Sequence, residues 1–135
     1  MLKPMVQVHN IDGVLVAEFW DCLRLVPAPI QDLRSHYESH IRARGKADIV
    51  VDLSGVGLAG SAALGHFVTL QKLIRQHGGR VFFCNVDPHV HESFRVSRLV
   101  SLFVFFADRD AALAAVRRND STVGNEGSDA VPSGT

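Results

Sequence analysis

Apolar and polar positions along the chain repeat with two different periods, one typical of strands and one of helices. Two β-rich runs open the chain and are separated by Asp12-Gly13, a pair that tolerates positive φ and favours a tight hairpin. A later run, Ile49-Val50-Val51 with Leu53, is apolar enough to predict a central strand that is covered on both faces. The predicted strands are residues 5–9, 14–20, 48–53, 80–86 and 102–106.

Between these runs, apolar residues recur at offsets of three and four, the spacing of a helix with one buried face. Pro27 and Pro29 interrupt regular structure, and the first helix follows them. Gly45 is its expected C-terminal cap, and Gly78-Gly79 ends the second helix. Asp87 and Asp108 are predicted to be the N-caps of the third and fourth helices, because aspartate is common at that position. The predicted helices are residues 30–44, 61–77, 88–98 and 109–118, the first burying Ile30, Leu33, Tyr37 and Ile41.

The order of elements defines the fold class. It reads β-β-α-β-α-β-α-β-α, so the opening hairpin feeds a series of β-α units, which predicts an α/β domain with a mixed sheet and helices packed over it. The length of 135 residues fits one domain. We assign residues 1–118 to that domain. Residues 119–135 are polar and glycine-rich, and we expect them to form a disordered tail.

Charge and cysteine content exclude several classes of function. The chain has 14 Lys and Arg against 14 Asp and Glu, so it lacks the basic surplus typical of nucleic-acid binding or of electrostatic membrane anchoring. No apolar run has the length of a membrane span, and the first residues lack the core of a signal peptide. Cys22 and Cys84 are too few for a disulfide framework and predict reduced thiols. We therefore expect a cytoplasmic protein without membrane insertion.

Histidines are frequent, but their spacing does not favour a metal site. His36 and His40 are four residues apart on one helix, whereas His89 and His91 point in different directions, and no carboxylate or thiol cluster completes a set. We expect these histidines to be solvent-exposed, with no metal and no cofactor. A hydrolytic role for Ser61 would need a nearby base, but His66 lies roughly 140° around the helix. The sequence thus predicts a protein that is not an enzyme.

The glycine-rich turn between the central strand and the second helix carries the candidate site. Ser61 stands where the helix opens, in a turn that glycine is expected to make mobile and accessible. Unpaired amides and the positive dipole end would tolerate a phosphate on this hydroxyl, which would add about −1.5 to −2 charges to the surface. The alternative is that Ser61 is a simple N-cap.

Two motif readings compete at the same turn. Gly55-Val56-Gly57-Leu58-Ala59-Gly60 matches the dinucleotide pattern G-x-G-x-x-G between a strand and a helix. However, this strand is not the first of the chain, and a lone match is weak, so a small nucleotide-binding domain is the lesser alternative. A nucleophile elbow, G-x-S-x-G, fails because Gly60 directly precedes Ser61 and Ala63 occupies the closing glycine position.

A resemblance to a known family becomes specific at these residues. The chain resembles the STAS domain family, of the bacterial anti-sigma factor antagonist type, over about residues 5–116 and most strongly from 48 to 100. The segments that carry the resemblance are Val51-Asp52-Leu53-Ser54-Gly55-Val56, Ser61, Leu64-Gly65, Gly78-Gly79-Arg80-Val81, Cys84-Asn85-Val86 and the helix from Pro88 to Leu99.

The resemblance implies a regulatory protein-binding domain with the same order of elements. It implies docking on an anti-sigma factor that is a serine kinase of the histidine-kinase-like ATPase type, with Ser61 as the phosphorylated switch. The turn departs from the family's Asp-Ser-Ser-Gly: Gly60, Ala62 and Ala63 replace the aspartate, the second serine and the first glycine.

A second departure lies near the second strand, where Asp21-Cys22-Leu23-Arg24 stands in place of Gly-Glu-Leu-Asp. The alternative function is a STAS subunit of a transport or stress-signalling assembly that is not phosphorylated. In either case we expect partner contacts around the turn, extending to His66 and Thr69. The expected contact residues are Gly57, Leu58, Ala59, Gly60, Ser61, Ala62, Leu64 and Gly65.

Overall fold

The computed structural model describes residues 3–121 of the chain. In this part, strands and helices follow the predicted order, with two additional strands of two residues each. The strands are β1 (Met5–Ile11), β2 (Val14–Trp20), β3 (Arg24–Leu25), β4 (Ile49–Asp52), β5 (Leu58–Ala59), β6 (Val81–Cys84) and β7 (Val104–Phe106); the helices are α1 (Pro27–Arg42), α2 (Ser61–Gln76), α3 (Pro88–Val96) and α4 (Arg109–Ser121).

Five strands form one mixed sheet in the order β1-β2-β4-β6-β7. β1 is antiparallel to β2, and the remaining neighbours are parallel. The hairpin between β1 and β2 turns at Asp12 and Gly13, whose φ angles are 54° and 85°, as a turn of the predicted kind requires. The α/β class and the mixed sheet are therefore confirmed.

Helices cover both faces of this sheet. α1, α2 and α3 pack on one face, where Phe67 of α2 meets Phe83 of β6 with ring centroids 5.0 Å apart. α4 packs on the other face through Ala112, Leu113 and Val116. All four residues of β4 are buried, so its predicted central, doubly covered position is confirmed. Because β2, β4 and β6 run parallel, their carboxyl ends meet at one edge of the sheet.

The ends of α1 and α2 show which glycines the fold requires. α2 ends as predicted, with Gly78 at φ 82° and the Gly79 amide donating to Ile74 O at 3.0 Å. In α1 the left-handed residue is Arg44, at φ 66°, and not Gly45. Gly45 is needed for another reason: a Cβ there would lie 2.1 Å from the ring of His40.

His40 corrects the expectation that the histidines are solvent-exposed. Its ring is buried beneath Gly45, and Nε2 lies 2.9 Å from the carbonyl oxygen of Lys46. Its predicted neighbour on the helix, His36, is exposed. The His40 ring thus fills the space at the end of α1 and does not face outward with His36.

Several boundaries differ from the prediction. α1 begins at Pro27, within the stretch that was expected to interrupt regular structure, because proline is tolerated in the first turn of a helix. A 3₁₀ turn at Val100–Leu102 shortens the last strand, so that it begins at Val104. α4 continues to Ser121, three residues beyond the expected start of the tail. The rest of the predicted tail, residues 122–135, lies outside the described residues.

Candidate functional site

The turn between β4 and α2 is anchored to the segment that follows β2. The amides of Gly57 and Leu58 both donate to the carbonyl of Leu23, at 2.7 and 2.9 Å. β5 then pairs in parallel with β3, with Arg24 opposite Leu58 and Leu25 opposite Ala59. The turn is therefore held by backbone hydrogen bonds, in contrast to the mobile loop that its glycine content suggested.

Two of its glycines are explained by this close approach. A Cβ at Gly55 would lie 3.1 Å from the carbonyl oxygen of Phe19, and a Cβ at Gly57 would lie 2.9 Å from Cδ1 of Leu23. A larger residue would require the backbone to shift slightly at Gly55 and the Leu23 side chain to move at Gly57. The first two glycines of the G-x-G-x-x-G match thus allow close packing between two parts of the same chain, whereas Gly60 faces open space.

Ser61 is the first residue of α2, and the preceding residue, Gly60, is the N-cap. Gly60 has an extended backbone, φ −83° and ψ 175°, and no side chain of the described residues caps this helix. Ser61 is exposed. The interpretation of Ser61 as a simple N-cap is therefore wrong, because Gly60 occupies the N-cap position and Ser61 is already the first helical residue. Amides of the first helical turn have no partner within the helix.

Most of the expected contact residues are accessible around Ser61. Five of them are exposed and Gly57 is half-buried, but the side chains of Ala59 and Leu64 are buried, which corrects the expected patch. Ala59 pairs with Leu25 on the inner side of the β3–β5 ladder. Leu64 lies on the inner face of α2, in the same core cluster as Phe67. The exposed residues are Leu58, Gly60, Ser61, Ala62 and Gly65.

His66 and Thr69, which we expected at the margin of the surface, line a shallow groove between α1 and α2. The groove has a volume of about 350 Å³, and Arg34 and Glu38 of α1 form its other side. Thr69 Oγ1 donates to the carbonyl of Gly65 at 3.2 Å. The polar groove continues the surface that begins at Ser61 along the exposed side of α2.

Leu23, which was not among the predicted contact residues, lies beside the turn. Its side chain is 73% exposed, and the neighbouring Leu58 is 56% exposed. The β3–β5 pairing that brings them together involves only two residues from each strand, too few for a periodic signal. The one sequence signal was the departure at Asp21-Cys22-Leu23-Arg24, which marks this segment as particular to the chain.

A charged cluster lies beneath the start of the turn, at the carboxyl ends of β2 and β4. Arg109 Nη2 donates to Glu18 Oε2 at 2.7 Å and to Asp52 Oδ2 at 3.0 Å. The other oxygen of Asp52 accepts the Ser54 amide at 2.9 Å and the Asn85 side chain at 3.2 Å. Asp52 thereby connects α4, the loop after β6 and the first residue of the turn.

The pKa values of both carboxylates are lowered by these contacts. Burial by itself raises the pKa of Asp52, but the hydrogen bonds from Ser54, Asn85 and Arg109 together outweigh it. The hydrogen bond from Arg109 is the main cause that lowers the pKa of Glu18. Both groups are therefore held as carboxylates, and Arg109 is engaged with them beneath the turn.

Within residues 3–121, no group of three or more His, Cys, Asp or Glu side chains is arranged to hold a metal ion. No helix of that part has the length and apolar character needed to cross a bilayer. Cys22 and Cys84 are free and buried.

Comparison with known proteins identifies the family. The model of the STAS domain matches residues 28–112. BtrV of Bordetella bronchiseptica, whose name places it among the anti-sigma factor antagonists, is 32% identical over 112 residues, covering 82% of this chain and 92% of BtrV. The chain belongs to the STAS domain family and is of the anti-sigma factor antagonist type, as its resemblance implied.

Solved structures show the same fold at lower identity. A STAS-domain anti-sigma-factor antagonist from Planctomyces limnophilus has a TM-score of 0.71 at 22% identity, covering 83% of this chain and 97% of the other. Unphosphorylated SpoIIAA, an anti-sigma factor antagonist, has a TM-score of 0.69 at 18% identity, covering 84% and 96%. The phosphorylated form of SpoIIAA from Bacillus has a TM-score of 0.60 at 16% identity, covering 83% and 99%.

Proposed function

We propose that this protein regulates transcription by docking on an anti-sigma factor through the surface around Ser61. The observation that carries the proposal is the position of Ser61: an exposed hydroxyl at the first position of α2, on a turn that is fixed by hydrogen bonds to Leu23. Gly60, Ala62 and Gly65 surround it with little side-chain bulk. A partner can therefore approach the start of the helix closely, and the name of the relative BtrV supports an anti-sigma factor as that partner.

We further propose that phosphorylation of Ser61 switches this docking. The first turn of α2 contains no acidic residue, so a phosphate there meets the positive end of the helix dipole without a local negative charge. It would nevertheless change the charge of the docking surface by about −1.5 to −2. The partner is then a serine kinase of the histidine-kinase-like ATPase type. The existence of SpoIIAA in phosphorylated and unphosphorylated forms supports this proposal.

Two alternative roles receive less support from the geometry. A nucleotide site would use the glycines of the turn to approach a phosphate, whereas Gly55 and Gly57 already approach Phe19 and Leu23. A hydrolytic role would need a base beside Ser61, whereas His66, the histidine nearest to it in sequence, lines the groove between α1 and α2. We therefore propose a binding protein and not an enzyme. We also propose that it acts in the cytoplasm, where free thiols such as Cys22 and Cys84 remain reduced.

The test uses the full chain with the purified cognate anti-sigma kinase and ATP, followed by intact mass measurement. We expect one added phosphate on the wild type and on Ser54→Ala, which removes the other exposed hydroxyl of the turn, but none on Ser61→Ala. Calorimetric titration should show binding by the wild type and loss of binding by Ser61→Glu. Binding without phosphate transfer would instead support the non-phosphorylated STAS subunit, and no binding at all would reject the proposal.

A further inference from the structure

Leu23 and Leu58 are two exposed apolar residues whose backbones are hydrogen-bonded to each other at the turn that precedes Ser61. Their side chains are 73% and 56% exposed. They belong to the segment after β2 and to the turn after β4, respectively, and the Leu58 amide donates to the Leu23 carbonyl. Because neighbouring apolar side chains left in water can be buried by a partner, they are candidates for the centre of an interface. We call these two residues the leucine ridge.

The ridge is fixed before any partner arrives. Two amides of the turn share the Leu23 carbonyl, and the parallel pairing of β3 with β5 continues directly from it. The absence of a side chain at Gly57 leaves space for Leu23, whose Cδ1 lies 2.9 Å from the position of a Cβ there. The backbone at both leucines is therefore ordered before binding, so docking costs little backbone conformational entropy, which favours their use as anchors.

Arg24 adds a positive charge next to the leucine ridge. It is the register partner of Leu58, and both side chains are exposed, whereas the next pair, Leu25 with Ala59, is buried. Paired residues of neighbouring strands project to the same face, so the guanidinium belongs to the outer face with Leu58. Among the described residues Arg24 has no ion pair, and the stretch 53–65 contains no charged residue. Arg24 is thus the cation beside the uncharged stretch of the turn, while Asp21 and Glu18 lie on the other side, in the hollow that they line with Leu23 and Arg24.

We propose that the leucine ridge and Arg24 together select a segment of the anti-sigma factor that presents apolar side chains flanked by a carboxylate. The inference rests on the proposed function and identifies the chemistry of the partner's contact. Apolar side chains of the partner bury Leu23 and Leu58, and its carboxylate pairs with Arg24. Water excluded by the leucines strengthens that ion pair, because charges attract more strongly where water is scarce.

The same arrangement separates two tasks on one surface. Ser61 lies on α2, whereas Leu23 and Arg24 lie on the segment between β2 and α1. A phosphate on Ser61 adds negative charge to the same docking surface that must receive the partner's carboxylate, so the two anions would repel each other. The phosphate on Ser61 and the preference of Arg24 for an acidic partner therefore act in the same direction, because both weaken binding of the phosphorylated protein.

The test is calorimetric titration of full-length variants with the purified cognate anti-sigma factor. We expect Leu23→Ala and Leu58→Ala each to weaken binding about tenfold, because buried apolar anchors carry most of an interface's affinity. Arg24→Glu should weaken binding more than Arg24→Gln. Binding of the wild type should weaken as NaCl is raised, and Arg24→Gln should lose most of that salt dependence.

Two matched controls lie away from the ridge. Leu102→Ala removes another partly exposed leucine, in the 3₁₀ turn before β7, and Arg75→Glu reverses another exposed arginine in the last turn of α2. Both should bind within about twofold of the wild type, because peripheral substitutions seldom change affinity strongly. Thermal unfolding of each variant ensures that weaker binding does not reflect loss of the fold.

The outcomes distinguish this inference from the function on which it rests. If Ser61→Glu abolishes binding while the ridge variants bind like the wild type, the ridge proposal is wrong and the docking function stands. If the wild type does not bind, both are rejected. A lysine in place of an Asp or Glu of the anti-sigma factor should restore binding of the Arg24→Glu variant, and this result would establish the ion pair. If no such substitution restores binding, the proposal that the partner contributes a carboxylate is wrong.

Discussion

Arg109, the first residue of α4, donates a hydrogen bond of 3.0 Å to Asp52, the last residue of β4. The same nitrogen contacts Glu18 of β2 at 2.7 Å. The contact joins the helix on one face of the sheet to the strand that leads into the turn. Because Asp52 also accepts the amide of Ser54, the position of α4 and the first residue of the turn depend on the same carboxylate.

We expect Arg109→Ala to lower the free energy of unfolding by about 1–3 kcal/mol, because it leaves the buried carboxylate of Asp52 without its cation. Arg117→Ala is the matched control on the same helix. Its ion pair with Asp12 is solvent-exposed at 3.3 Å, so its loss should cost at most about 0.5 kcal/mol. Urea denaturation of the two variants measures the difference, and equal costs would contradict the structural role of Arg109.

The lowered pKa values of Asp52 and Glu18 predict loss of stability in acid. Their contribution is fully present above the ordinary pKa values of 3.8 and 4.5 and is lost as the pH falls through the lower values of the folded state. The unfolding free energy of the wild type should therefore decline below about pH 5. Arg109→Ala should show a shallower decline, since it removes a common cause of both shifts; an unchanged pH profile would argue against the coupling.

The N-cap of α2 offers a stabilising substitution. Gly60 has a negative φ, and no described atom lies within 4 Å of a Cβ placed there, so a side chain fits. We expect Gly60→Asp to raise the unfolding free energy by about 0.5–1 kcal/mol, because its carboxylate can cap free amides and meets the helix dipole. Gly60→Ala is the control, because it adds the Cβ atom but no oxygen that could accept a hydrogen bond from the amides of the first turn. An aspartate variant no more stable than the alanine variant would contradict the capping argument.

Gly65 and Gly79 should respond in opposite ways to replacement by alanine. Gly65 lies inside α2 with no described atom within 4 Å of its Cβ position, so Gly65→Ala should stabilise the helix by about 0.5–1 kcal/mol. A Cβ at Gly79 would lie 2.1 Å from the carbonyl oxygen of Ala47, so Gly79→Ala should cost about 2 kcal/mol. Thermal melts of both variants check the signs, and a destabilising Gly65→Ala would show that the helix needs glycine there.

Both thiols should be unreactive in the native protein. Burial raises the pKa of Cys84 to about 12 and also raises the pKa of Cys22, so the nucleophilic thiolate is scarce near neutral pH. We expect no reaction with Ellman's reagent until guanidinium unfolds the chain, after which both thiols should react. Rapid labelling of the folded protein would show that one thiol is accessible.

Patterns that extend over several residues predicted most of the fold. The buried face of α1, the Gly78-Gly79 helix end and the Asp87 cap depend on neighbours in sequence, and the structure contains all three. Arg109, Asp52 and Glu18 were not predicted as a cluster because they are 57 and 91 residues apart, with no local pattern to join them. His40 is buried because Gly45 has no side chain and leaves room for the ring. Composition alone does not show that these two residues are in contact.

At the candidate site, Ser61 was predicted from the sequence, but its exact position and surroundings were not. Its place after Gly60 as the N-cap depends on where the helix starts, which a boundary prediction locates only to a few residues. Leu23 was missed because it contacts the turn through the two-residue ladder of β3 and β5. The docking and switching roles themselves stay predictions for the experiments above.

The ladder between β3 and β5 has a practical consequence. It sets the two segments that lead into α1 and α2 side by side, with Leu25 opposite Ala59, so the exposed surface is assembled from distant parts of the chain. A short synthetic peptide copying the turn would carry Ser61 but neither Leu23 nor Arg24, and would be a poor mimic. An inhibitor designed to imitate this surface therefore has to reproduce two paired strands from distant parts of the chain.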